Sequence, residues 1–108
     1  PLLSTITIKW NEADSFEKKL ERIMTQKWIA VFPNGQEAWS EFRRTGYPKI
    51  FPVVVNNSGG TIDASKQIRR MPFPISEYQD NPQGVASGTA VLGGADNGGT
   101  RLWWDKKN

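Results

Sequence analysis

The chain has 108 residues, of which 37% are hydrophobic, and its 14 basic and 11 acidic side chains give a formal charge of +3. With no cysteine and no histidine, thiol nucleophiles, disulfides, Cys/His zinc sites and histidine general bases are excluded. The two charge signs are interleaved, and Lys18-Lys19, Arg43-Arg44, Arg69-Arg70 and Lys106-Lys107 are only short basic pairs. A nucleic-acid binder clusters its cations in a patch or stripe, so no nucleic-acid partner is expected.

Five Trp, five Phe and two Tyr must supply most of the packing energy, because large rings dominate it. Residues 1–10, PLLSTITIKW, are β-branched and Pro-led and read as an extended lead-in. The chain opens on Pro1 without an initiator Met, and any targeting segment is expected upstream of it. No apolar run approaches the ~20 residues of a membrane-spanning helix.

From about Asn11 the apolar period becomes helical. Phe16, Leu20, Ile23, Met24, Trp28 and Val31 fall on one broad face, with Asp14 or Ser15 as the cap. Pro33-Asn34-Gly35 stops this helix. A second, shorter helix is predicted at about Gln36–Arg44, with Ala38, Trp39 and Phe42 as its stripe and Gly46 with Pro48 as its end. Two amphipathic helices joined by a short loop form an αα-hairpin. Trp28-Ile29-Ala30-Val31-Phe32 is apolar on every side, which requires burial on every side. One short partner helix cannot supply that. Lys27 projects into the apolar stripe, as a snorkelling stem or a buried ion pair.

After Thr45 the composition shifts, and residues 45–108 hold nine of the ten Gly and five of the seven Pro. Residues 50–55, IFPVVV, read as extended or strand-like, and residues 56–60, NNSGG, as a loop. Met71-Pro72-Phe73-Pro74 reads as irregular and polyproline-like. The Arg69-Arg70 pair just before it is expected to anchor this segment to the helical body, because Pro removes backbone donors and side chains must take their place. Asn81-Pro82 reads as N-cap and first residue of a helix running to about Leu92. Gly93-Gly94 closes that helix, and Leu102-Trp103-Trp104 reads as a final aromatic anchor. A long stretch with little regular structure is uncommon in a small compact domain. It fits a segment that wraps over a scaffold supplied by other residues.

Candidate chemistry is sparse. Glu37 and Glu41 lie one helical turn apart, but a glycosidase pair must face across a cleft; a solvated face, with Glu41 near Arg44, accounts for them better. Asp96-Asn97-Gly98-Gly99 lacks the further oxygens and the closing Glu of a calcium loop, so it reads as a turn. The Gly-Gly pairs match no phosphate loop. Trp28 and Trp39 belong to the core stripes; Trp10, Trp103 and Trp104 are less constrained, although packing remains the better reading for them as well. No catalytic residue, metal ligand or cofactor site is assigned, and no ligand-contact residue.

Three strings carry more information than these residues singly. LERIMTQKWIAVFPNGQEAWSEFRRTGYPK, at residues 20–49, resembles the C-terminal signature of SusD/RagB-type proteins. IRRMPFPISEYQDNP, at residues 68–82, and GGADNGGTRLWWDKKN, at residues 93–108, are similar to that family's later segments, in the same order. The resemblance implies a mostly α fold: a tetratricopeptide-like helical hairpin at about residues 11–45, then an irregular Gly/Pro-rich wrap-around segment with short helices at 46–108. Together these would be the C-terminal segment of a larger SusD-like domain. It further implies a lipoprotein on the outer face of the outer membrane of Bacteroidetes, lipid-anchored through an N-terminal part not present here. Such a protein captures glycans or other nutrients without catalysis and partners a SusC-like TonB-dependent transporter, as in starch utilisation systems. The residues alone leave a second reading open, an autonomous helical protein-interaction module.

Overall fold

A computed structural model describes residues 2–107. The chain divides into two compact units, one formed by residues 2–51 with Lys107 and the other by residues 52–106. Among the described residues there are four helices and no strand.

In the first unit the lead-in is non-helical, and α1 spans Phe16–Ala30. Ser15 is its N-cap, and the hydroxyl oxygen accepts from the Lys18 N–H, satisfying one of the donors that a helix start leaves free. Glu17 in the first turn and Lys27 in the last complement the helix dipole. Residues 31–34 lead into α2, Gly35–Thr45, where Asn34 Oδ1 accepts from the Glu37 N–H at 3.1 Å. Gly46 ends α2 in the left-handed region, φ 76°, and its N–H bonds the Phe42 carbonyl. Only glycine takes that conformation without steric cost. The two helices pack against each other, with Met24, Ala38 and Phe42 buried and Trp28 edge-on to Phe42 at 6.5 Å between centroids.

The buried face of α1 differs from the predicted stripe. Its buried residues are Glu21, Arg22 and Met24, whereas Phe16 is 74% exposed and Ile29 65%. The cause is geometric. The lead-in returns along the polar side, where Arg22 Nε donates to the Thr7 carbonyl at 2.7 Å and Nη1 to Asp14 Oδ2 at 2.8 Å. One short helix then covers only part of the apolar side.

In the second unit residues 52–55 are irregular and exposed, so the strand-like run pairs with nothing as a strand. Asn56 organises the loop after it, accepting from the Ser58 N–H at 3.1 Å and donating to the Ile62 carbonyl at 2.7 Å. A short helix that the sequence reading did not contain, α3, spans Ile75–Asp80. Asn81 then serves two helices. Its N–H bonds the Glu77 carbonyl at 2.9 Å, and its Oδ1 accepts from the Gly84 N–H at 3.1 Å, capping α4, Pro82–Leu92. Pro82 sits at the helix start, where its missing N–H costs nothing. α3 and α4 pack together. At Gly88 a Cβ would lie 2.9 Å from the Phe73 ring, so glycine lets that ring rest directly on α4. Gly93 closes α4 at φ 71°, as expected.

Candidate functional site

The interior of the second unit is held by charge rather than by an apolar cluster. Arg69 is 1% exposed and Asp105 0% by side chain. Arg69 Nε donates to Asp105 Oδ2 at 2.7 Å and Nη2 to Oδ1, while Arg101 Nη1 reaches the same Oδ1 at 3.1 Å. Arg70 donates to Asp96 Oδ1. Asp96 also accepts from the Phe73 N–H, at 3.1 and 3.0 Å to its two oxygens, and from Tyr78 Oη at 2.6 Å. Phe73 lies between Pro72 and Pro74, which have no N–H, so its own donor is the one that this turn can offer. Burial pushes the Asp96 carboxyl up, but the hydrogen bonds from Tyr78, Arg70 and Phe73 outweigh burial and hold it below the ordinary value. The same bond holds the Tyr78 hydroxyl above its ordinary value.

Both arginines are thus anchors, as the sequence suggested, but their acceptors Asp105 and Asp96 lie within the Gly/Pro-rich segment rather than in the helical hairpin. The aromatic anchor holds only in part: Trp103 is 82% exposed, Leu102 and Trp104 are half-buried, and the fully buried residue of this chain end is Asp105. The Asp96-Asn97-Gly98-Gly99 run is a turn. Asn97 Oδ1 accepts from the N–H groups of Gly99 and Thr100 at 2.9 and 3.1 Å, and the described residues contain no cluster of carboxylates suited to a metal ion.

Glu37 and Glu41, the pair considered for glycoside chemistry, converge on a cation. Lys27 Nζ lies 2.9 Å from Glu37 Oε1 and 3.5 Å from Glu41 Oε1, and Arg44 Nη2 lies 2.6 Å from Glu41 Oε2. The two Lys27 pairs link α1 to α2, while the Arg44 pair lies within α2; the partners of Lys27 thus belong to the next helix. The Arg44 hydrogen bond holds Glu41 below its ordinary value. Both carboxylates turn toward the same lysine rather than facing each other across a cleft, as a glycosidase pair does.

The tryptophans separate by environment. Trp39 is half-buried beneath the Arg43 guanidinium, 3.5 Å from the ring centroid, which is close stacking. Trp10 is 46% exposed and lines a cleft of about 500 Å³ with Thr5, Thr7, Lys9, Lys18 and Arg22. The sequence reading left Trp10 open, and it gave no sign that Arg22 would share its cleft. Apolar side chains also remain uncovered on the hairpin, Ile29 and Phe32 among them, Phe32 at 85%. A soluble surface rarely gathers such residues without a partner.

A paired helical hairpin followed by a glycine-turned segment clamped by two arginine–aspartate pairs matches one family along nearly the whole chain. The SusD-like family, described as "Susd and RagB outer membrane lipoprotein", matches residues 1–105; the chain belongs to this family. Among solved structures it is 54% identical to a chitin-binding SusD homolog from Flavobacterium johnsoniae, with TM-score 0.88 over 99% of this chain and 22% of that one. A SusD homolog from Bacteroides uniformis is 52% identical, with TM-score 0.89 over 99% of this chain and 22% of its own. One from Bacteroides thetaiotaomicron is 49% identical, with TM-score 0.88 over 98% and 24%. The chain therefore spans under a quarter of the length of these relatives. No curated protein matches it.

Proposed function

We propose that this chain is the C-terminal segment of a non-catalytic, cell-surface glycan-binding lipoprotein that partners a SusC-like TonB-dependent transporter. The observation that carries the reading is the match to a chitin-binding relative across 99% of the chain at 54% identity. Physics supports the division of labour. The exposed Phe16, Ile29 and Phe32 are suited to docking against further helices of the same protein, while the second unit is held by its own charge clamps. The lipid anchor and most ligand contacts then belong to the remainder of the whole protein. Glycan capture needs preorganised aromatic and polar groups and no bond making, which fits a chain without cysteine or histidine.

The test uses the full-length protein, co-expressed with a SusC-like TonB-dependent transporter of the same organism and purified through a tag on the transporter. Co-purification, with calorimetric binding of an oligosaccharide panel that includes chitin oligomers, is the expected outcome. Failure to co-purify defeats the transporter partnership, and failure to bind any oligosaccharide defeats glycan capture.

A further inference from the structure

The Trp10 cleft carries chemistry beyond general glycan capture. It lies within the first unit, between the extended lead-in and the start of α1. The indole is fixed in place. Its Nε1–H donates to Glu12 Oε1 at 2.6 Å, and Lys19 Nζ stands 5.6 Å from the ring centroid while bonding Glu12 Oε2 at 3.0 Å. Arg22 also lines the cleft, with only 9% of its side chain exposed. A guanidinium carries five N–H donors. Nε and Nη1 are used on Thr7 and Asp14, but Nη2 has no acceptor among the described residues. Lys9 and Lys18 complete a lining of three cations against one carboxylate, Asp14, which already pairs with Arg22. A partly enclosed site with that imbalance attracts anions.

We infer that this cleft is a subsite for an anionic saccharide residue. Arg22 Nη2 and Lys18 receive its carboxylate or sulfate, and the sugar ring lies against Trp10. A planar guanidinium suits the paired oxygens of such a group, the indole offers an apolar face, and the Thr5 and Thr7 hydroxyls bond ring hydroxyls. A neutral sugar leaves the cations uncompensated. The inference rests on the glycan-capture reading above, and it assigns a role to an arginine that the lead-in half-satisfies.

Calorimetry on the full-length protein tests it with three probes: oligogalacturonate for a carboxylate, a sulfated galactan oligomer for a sulfate, and chitin oligomers as the neutral control. At least one acidic probe is expected to bind, more weakly as salt rises. Trp10→Ala and Lys18→Ala leave the buried Arg22 bonds in place. Each is expected to weaken that binding roughly tenfold while leaving the melting temperature and any chitin-oligomer affinity unchanged. The two acidic arms identify which anionic group is read. Neither acidic probe binding, or both variants binding the acidic probe as the parent does, overturns the inference. So does an equal loss for the neutral oligomer. Binding of the neutral oligomer alone sinks this subsite and leaves glycan capture standing; no binding of any probe sinks both.

Discussion

Asp105→Asn offers the sharpest perturbation of the second unit. The carboxylate is fully enclosed and accepts from Arg69 Nε and Nη2 and from Arg101 Nη1. The amide keeps the shape, removes the charge, and turns one acceptor into a donor facing a guanidinium. The Arg69 charge is then left buried without a counter-charge, and breaking a buried pair from one side costs ~3–5 kcal/mol. Arg69 and Asp105 are 36 residues apart in sequence, so their loss frees the loop between them. Replacing both, as Arg69→Met with Asp105→Leu, removes the charges together and is expected to cost far less than the single change. Native-state hydrogen exchange on the full-length protein reads this locally. Amides of residues 61–105 lose protection corresponding to ~3 kcal/mol or more in Asp105→Asn, and recover much of it in the double variant. An Asp105→Asn variant within about 1 kcal/mol of the parent refutes the clamp, because that is the scale of an exposed pair.

Other outcomes follow from the same geometry. The Asp96 carboxyl lies below its ordinary value in the folded chain, so its contribution is complete above the ordinary carboxylate range near ~4. Protection of residues 70–96 should then fall as pH drops from that range through the lower folded value, and Asp96→Asn should remove this component of the pH dependence. Trp28→Ala and Trp39→Ala should weaken the fold without touching ligand recognition; Trp39→Ala, which empties the site under Arg43, is expected to cost ~3 kcal/mol by denaturant titration, and normal stability with lost glycan binding would reverse that assignment. Lys27→Met should cost little and lose its effect in high salt, because its partners Glu37 and Glu41 are reached at the surface. The isolated 108-residue chain should associate or melt broadly in size-exclusion and thermal experiments; a monodisperse monomer with a sharp melt would mean that Ile29 and Phe32 need no covering partner.

Local chemistry made much of the fold legible. Ser15, Gly46, Asn81-Pro82 and Gly93 are caps and stops whose function depends on neighbours within four residues, and each acts where the sequence placed it; Asn34-Gly35, expected to stop α1, instead caps and opens α2, because α1 already ends at Ala30. The family strings were legible for a related reason. IRRMPFPISEYQDNP supplies Arg69, Arg70, Phe73 and Tyr78, and GGADNGGTRLWWDKKN supplies Asp96, Asn97 and Asp105. The strings are therefore the two halves of one hydrogen-bonded assembly. Contacts that span the sequence were not legible. α3 lacks a side-chain cap, and Tyr78 within it is tied to Asp96, 18 residues on; nothing local announces it. Arg22 is buried through its bonds to Thr7 and Asp14, although it lies off the apolar stripe that periodicity picks out. Lys27 found its acids on the following helix, which spacing within one helix cannot reveal. Ligand contacts stayed unassigned because a cleft such as that at Trp10 is made by the return of an extended segment, and periodicity carries no trace of it.

Saturation-transfer NMR of the full-length protein with an oligosaccharide panel, repeated on the same samples over a day, tests capture without chemistry most directly. The account predicts transfer to the protons of at least one glycan, with every glycan signal intact at the end. New reducing-end signals, or no transfer to any glycan, would contradict it.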